Sequence, residues 1–254
     1  MRSRLAVCAS VWLWLAVTPA CDSDSGTHAS SEHARDAGAR GVDASQDAAQ
    51  PSAADASVAS KPALTAVWGA APDDVWAVGN AGTILHFDGK AWQLSEHVTD
   101  ADLFGVHGRA SDDVWIAGDD LVLHWDGSAW SVALQDIAET LLDVWEGADG
   151  DVWMVGITQD TGRGLLRHYD GERWEWTDRG AALSLWEVWG TGANDVWVGG
   201  TSSAGSGFLA RRQDIVFDAT GYEGGSLRGM WGTGSDDLWV APYMGPLQHW
   251  DGTA

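Results

Sequence analysis

The sequence predicts an all-β fold, a β-propeller of four-stranded blades, on three observations. A motif recurs five times with a period near 40 residues. Each copy breaks into short apolar segments separated by Gly and Asp turns. Trp is abundant, 18 in 254 residues, and falls at fixed places within the copy. Such a period, with four strand-like segments per copy, is what radially repeated sheets require.

The unit reads Leu-x-x-Val-Trp-Gly, a polar turn, Asp-Val-Trp-x-x-Gly, a variable loop, and an apolar-His-aromatic-Asp-Gly-x-x-Trp segment. Copy one carries Val67-Trp68, Asp74-Val75-Trp76, His86-Phe87-Asp88-Gly89 and Trp92. Copy two has Val106-His107, Asp113-Val114-Trp115, His124-Trp125-Asp126-Gly127 and Trp130. Copy three has Val144-Trp145, Asp151-Val152-Trp153, His168-Tyr169-Asp170-Gly171 and Trp174. Copy four has Val188-Trp189 and Asp195-Val196-Trp197, then departs from the pattern. Copy five has Met230-Trp231, Asp237-Leu238-Trp239 and His249-Trp250-Asp251-Gly252. Strands of the first blade are expected at about 64–69, 74–79, 83–87 and 91–95. Asp-Gly marks the hairpin between strands three and four, and the Asp before Val-Trp is placed to accept turn N–H bonds. A fifth Trp in step with the others would fall one position past Ala254. The last blade is therefore expected to lack its fourth strand, in a propeller truncated there with exposed edges; the alternative, an outer strand supplied by residues near 54–60, would lack the expected Trp.

The repeat resembles the Trp-rich propeller repeats of bacterial surface lipoproteins, grouped with BNR/Asp-box and Kelch-like repeats. It is not a strict Asp-box: Gly and Trp fall one and four residues after Asp, rather than two and five. The sialidase association of that motif is correspondingly weaker.

Residues 1–20 read as a signal peptide. Arg2 and Arg4 precede an apolar run from Leu5 to Val17, too short to span a bilayer. Thr18-Pro19-Ala20-Cys21 resembles a lipobox, and that resemblance implies cleavage before Cys21, lipid on its sulfur and a membrane anchor. Ordinary cleavage, leaving a free thiol, is the alternative. Residues 21–62 are rich in Ser, Ala and Asp and too poor in large apolar side chains to offset ordering entropy, so a disordered tether is expected. The propeller is assigned to 63–254. Its only two cysteines precede it, so no disulfide or thiolate metal site belongs to the folded part.

A formal charge of −23 opposes nucleic-acid binding. Trp68, Trp76, Trp92, Trp115, Trp130, Trp145, Trp153, Trp174, Trp189, Trp197, Trp231 and Trp239 are assigned to packing between blades, because they recur. His86, His124, His168 and His249 share one repeat position. They would stand too far apart to meet at a zinc ion, so they read as structural and no metal is expected. The acidic pairs of the one-to-two turns lack the alternating Asp-x-Asp-x-Asp-Gly loop that wraps calcium.

Function is sought where copies differ. Blades three and four carry longer loops, about 157–165 and 201–207, and Trp176 and Trp186 fall outside the repeat. Seven of the ten Arg after Cys21 lie between 163 and 228. Trp176, Trp186, Arg163, Arg167, Arg179 and Arg211 are thus candidates for contacting an anion or glycan, with charge balance on a solvated rim as the bland reading. The expected function is a non-catalytic binding or scaffolding module for a cell-surface protein or glycan, with no cofactor. The rivals are a sialidase- or lyase-like enzyme, limited to Tyr169, Tyr222 and Tyr243 as nucleophiles, and a degenerate repeat protein without activity.

Overall fold

The computed structural model describes residues 62–178, 183–202, 204–213, 216–219, 222 and 224–252. The signal peptide, Cys21, the tether and Arg179 lie outside the described residues.

Each copy of the motif folds into an antiparallel meander. Repeat one contains β1 (Leu64–Ala71), β2 (Asp74–Gly79), β3 (Ile84–Phe87) and β4 (Trp92–Leu94). Repeat four contains β11 (Leu183–Gly192), β12 (Asp195–Ser202), β13 (Gly207–Gln213) and β14 (Val216–Ala219). Repeat five contains β15 (Leu227–Gly234), β16 (Asp237–Pro242) and β17 (Gln248–Trp250). These make two four-stranded sheets and one three-stranded sheet, each in chain order.

Repeats two and three run together into a six-stranded sheet through β5 (Leu103–Ala110), β6 (Asp113–Trp125), β7 (Trp130–Glu146), β8 (Val152–Thr158), β9 (Gly164–Tyr169) and β10 (Trp174–Asp178). β6 holds two strands of the meander. Trp115 and His124 would lie about 30 Å apart on a straight strand, yet their rings stack at 4.1 Å. The reversal falls at Asp119-Asp120, where Asp120 takes φ 63°. β7 likewise serves both repeats. Trp130–Gln135 pairs with β6 and Glu139–Glu146 with β8, and Asp136 and Ala138 between them have positive φ.

The expected Asp-Gly hairpins form for a visible reason. Asp88 Oδ1 accepts the N–H groups of Lys90 and Ala91, Asp126 those of Ser128 and Ala129, and Asp170 those of Glu172 and Arg173. The Ser128 hydroxyl, 2.7 Å from Asp126, holds that carboxyl down to about 2 together with the N–H donors, and the N–H donors hold Asp88 and Asp170 below the ordinary range. The following Gly sits at φ 84–90°. A Cβ on Gly89, Gly127 or Gly252 would meet the Cβ of Asp73, Asp112 or Asp236 at 2.7 Å. The three-to-four turn therefore docks on the one-to-two turn, and both lie on one face of the sheets. Two-to-three loops and links between repeats emerge on the opposite face.

The first strands of successive repeats pack on one another, β1 on β5, β5 on β7, β7 on β11 and β11 on β15. Two rows of side chains close each seam between repeats. In the first row, the strand-two Trp stacks on the His of its own repeat and is covered by aromatics of the next. Trp76 lies on His86 at 4.2 Å and meets Trp125 and Trp130. Trp115 lies on His124 and meets Tyr169 and Trp174. Each of these His side chains is tied to the Asp that opens strand two, His86 to Asp74 at 2.6 Å and His124 to Asp113 at 2.7 Å. In the second row, a strand-one Trp lies against a glycine of the next repeat. A Cβ would meet the Trp68 ring at 3.0 Å from Gly108, Trp145 at 3.0 Å from Gly190, and Trp189 at 2.7 Å from Gly232. The buried core follows these seams.

Two repeat Trp depart from the expected packing: Trp92 is 49% exposed and Trp239 37%. They belong to the first and last repeats, where the neighbour that would cover them is missing among the described residues.

Repeat four keeps the seam with different chemistry. Arg211 occupies the His register opposite Trp197, pairs with Asp195 at 2.7 Å and lies 5.0 Å over the Trp197 ring. Arg212 takes the place of the following aromatic, 4.8 Å over Trp153 of repeat three.

Candidate functional site

The position after the repeat Leu is Thr65, Phe104, Leu142, Trp186 and Arg228 in the five copies. Because first strands adjoin, the last two become neighbours. The Arg228 guanidinium lies 3.7 Å over the Trp186 ring and 6.0 Å from that of Tyr243, at the end of strand two of repeat five. Trp186 is anchored: its Nε1–H donates to Thr201 Oγ1 at 3.0 Å, and Thr201 in turn shares a hydrogen bond with Ser226. Tyr243 is 69% exposed. The group sits on the face of the links and two-to-three loops, with an indole held from behind, a cation on it and an open phenol beside it. An arginine on an indole is held by attraction to the ring face, and it keeps N–H donors for a ligand.

Beneath it, the next strand-one position carries Asp143 and Glu187 where other copies have Ala66, Gly105 and Gly229. Both carboxyls are buried. Asp143 accepts the N–H groups of Val144 and Val188 at 2.9 Å, bridging repeats three and four. Burial raises Asp143 despite those donors. Burial also raises Glu187 well above the ordinary range, with the charge of Asp143 adding to the effect and Arg228 opposing it.

A second departure lies on the seam between repeats two and three. His107 stands where the other repeats have Trp, and Glu146 where they have the receiving Gly. The smaller ring leaves room that the larger chain fills. The backbone N–H of Glu146 donates to His107 Nδ1 at 3.0 Å, so a neutral ring carries its proton on Nε2. Burial lowers His107 to about 3. Burial raises Glu146 to about 8, assisted by the charge of Asp113 and opposed by the N–H and guanidinium of Arg109. Arg109 Nε reaches Asp113 at 2.5 Å and Glu146 at 3.3 Å.

The sequence candidates are placed unequally. Trp186 belongs to the aromatic–arginine group. Trp176 stands 59% exposed on β10, opposite Arg167 in register. Arg163 is exposed in the β8–β9 loop. Arg167 is buried in a bidentate pair with buried Glu139, at 2.5 and 2.7 Å, so its Nε and Nη2 edge is committed to that carboxylate. Arg211 is committed to Asp195 and Trp197. The expected clustering of Trp176 with Trp186 is not seen among the described contacts. The sequence candidates for ligand contact do not include Arg228, counted only as the end of the arginine-rich stretch, or Tyr243, named only as a possible nucleophile, although aligning the residue after each repeat Leu would have set Arg228 beside Trp186.

A cavity of about 360 Å³ opens on the same face between repeats one and two, lined by Val98, Ala101, Leu121 and the carboxylates Asp119, Asp120 and Asp136. Asp119 accepts bonds from Thr140 and Gln159, and Asp120 from the Ala138 N–H. Among the described residues no cluster of His, Cys, Asp and Glu is arranged to hold a metal ion.

No family model and no curated protein matches the chain. Solved structures do resemble it. YCF48 bound to D1 peptide aligns with TM-score 0.52 and 20% identity over 74% of this chain. The chain spans 64% of that structure's length. YCF48 from Cyanidioschyzon merolae aligns with TM-score 0.47 and 12% identity, over 75% of this chain and 83% of that one. SapL1 lectin in complex with alpha methyl fucoside aligns with TM-score 0.47 and 14% identity, over 66% and 67%. At this identity the first of these likenesses is one of fold, and the chain is an all-β, propeller-like protein.

Proposed function

We propose that the protein is a non-catalytic β-propeller module, anchored to the cell envelope through lipid on Cys21, that binds a protein or glycan partner on the face of its inter-repeat links. The observation that carries this reading is the Trp186–Arg228–Tyr243 group. Trp, Arg and Tyr are the residues most enriched where interfaces concentrate their binding energy, and Trp186 and Arg228 lie outside the structural pattern that explains the repeat Trp. A binding role agrees with the similar propeller caught with a peptide. Trp176 and Arg163, exposed on repeat three, are proposed as outlying contacts. The five repeats are read as five propeller blades, the fifth with three strands among the described residues.

The test is a glycan array and a peptide-library screen of the purified protein, wild type beside Arg228→Ala and Trp186→Ala. Either substitution is expected to weaken binding at least about tenfold. Binding indifferent to both would overturn the site, and a Cys21→Ser variant that stays in the membrane fraction would remove the anchor.

One observation favours a second reading, a glycan-acting enzyme. Asp143 and Glu187 are buried carboxyls on adjacent first strands beside Arg228, burial raises both, and a protonated carboxyl is what a general acid needs. Turnover of a sialoside or polysaccharide, abolished by Glu187→Gln, would establish it.

A further inference from the structure

The strand-one position below the aromatic–arginine group is Ala66, Gly105, Asp143, Glu187 and Gly229 in the five copies, so repeats three and four alone set carboxyls there. Glu187 is 3% exposed and Asp143 8%. The two N–H groups on Asp143, from Val144 and Val188, favour its ionised form, so it is the first of the pair to lose its proton. Its charge and the burial of Glu187 then hold Glu187 well above the ordinary carboxyl range. Across the next boundary Gly229 adds no side chain, and the residue before it, Arg228, is the cation that acts on Glu187.

The charged surroundings of Glu187 are few. Asp143 faces it from β7 and Arg228 from β15. Other charged groups on the elements packed against β11 are engaged elsewhere: Glu139 of β7 with Arg167 of β9, Glu146 of β7 with Arg109, His168 of β9 with Asp151, and Asp195 of β12 with Arg211. Asp136, also on β7, lines the cavity beside repeat one, and β8 carries no charged residue. Arg228 itself lies with its guanidinium 3.7 Å over the Trp186 ring. A guanidinium covered on its face keeps its in-plane N–H donors, and these match the two oxygens of a carboxylate. On a chain of formal charge −23, a singly charged group is the anion the surface field opposes least.

We propose that the Trp186–Arg228–Tyr243 group takes a carboxylate of its partner, and that Glu187 is the positioning residue that governs this capture by keeping or releasing a proton beneath Arg228. The inference rests on the binding reading above and adds to it the charge of the ligand and its regulation. With its proton on, Glu187 is neutral and the full charge of Arg228 meets the ligand. Once ionised, Glu187 draws on the same guanidinium, and the incoming carboxylate meets a second negative charge. Capture is therefore full while Glu187 is protonated and falls as pH rises through its raised value. By reciprocity the bound carboxylate tightens the proton on Glu187, so binding in that range takes up protons.

The experiment is fluorescence anisotropy of the purified protein with two labelled probes, trigalacturonate and a short N-acetylated Ala-Gly peptide ending in a free carboxylate. Each has a neutral twin, galactotriose and the C-terminal amide, so the two arms separate an acidic sugar from a peptide end. The series runs from about pH 5 upward to the point where circular dichroism first changes. At the acid end at least one charged probe is expected to bind about tenfold tighter than its twin. That advantage should shrink at least about fivefold as pH rises. Glu187→Gln should hold the tighter affinity across the series. Asp143→Asn removes the charge that keeps the proton on Glu187, so it should move the loss to lower pH. Arg228→Ala should bind charged probes and twins alike at every pH. Charged probes bound no better than their twins overturn the proposal, as does an advantage flat in pH, or one that declines in Glu187→Gln as it does in the wild type. Those results leave the binding reading standing. It falls only if the partners returned by the array and the peptide screen bind Arg228→Ala and Trp186→Ala as tightly as the wild type.

Discussion

The seam between repeats four and five and the seam between repeats two and three occupy the same place in the repeat and are held by opposite chemistry. In the first, the edge of the Trp189 indole abuts Gly232, with no room for a β-carbon. In the second, His107 and Glu146 replace that pair and join it through a backbone hydrogen bond, with Arg109 and Asp113 completing a charged network. What the repeat preserves is the filled volume across the boundary, contributed half by each copy. Either half changes safely only with the other.

The comparison breaks most visibly at Trp189. Trp189→Ala should cost about 3–5 kcal/mol, because a buried indole leaves a cavity. His107→Ala should cost about 1–3 kcal/mol, chiefly by leaving the Glu146 N–H without its acceptor. Denaturant unfolding of the two variants measures the difference, and equal losses would erase the distinction between the seams. A double-mutant cycle sharpens the claim of paired change. His107→Trp alone should destabilise by about 1–3 kcal/mol through overpacking against Glu146, and adding Glu146→Gly should restore more than half of it. Two additive losses would show that the residues are independent.

The smallest effect is in pH. Glu146 in the folded protein keeps its proton up to about 8, against an ordinary 4.5. Between those values the folded state holds a proton that the unfolded state releases, so stability is full below the lower value and falls as pH rises through the upper. Asp143 and Glu187 act in the same sense. Glu146→Gln should flatten this decline by about 1 kcal/mol at pH 8, the figure discounted because Arg109 is half exposed and screened. Melting temperatures at pH 5 and pH 8 measure it, and an unchanged slope would place the titration elsewhere.

The meander was legible because its determinants are local. Asp88-Gly89 closes its hairpin with its own neighbours' N–H groups, and Trp68 faces Trp76 across a turn of a few residues. Repeat four was opaque to residue matching. A guanidinium can both pair with a carboxylate and lie on an indole, so Arg211 and Arg212 perform the work of His and an aromatic without resembling them. That also explains why an arginine-rich stretch drew attention as a ligand site when Arg167 and Arg211 are spent on Glu139 and Asp195. The candidate group itself was half legible. Trp186 stood out as an extra Trp, but its partner Arg228 lies 42 residues on, and only the adjacency of first strands brings them together.

Because each socket is written across a repeat boundary, the repeat is also a unit of copying. Duplicating a whole unit of the Trp189–Gly232 type inserts one more complete seam without a single further substitution, since each new copy receives from one side and inserts on the other. Repeat three is not interchangeable in this way. Moved beside a repeat that presents Trp, its Glu146 would meet an indole where a glycine is needed, so repeats two and three can be transplanted only as a pair.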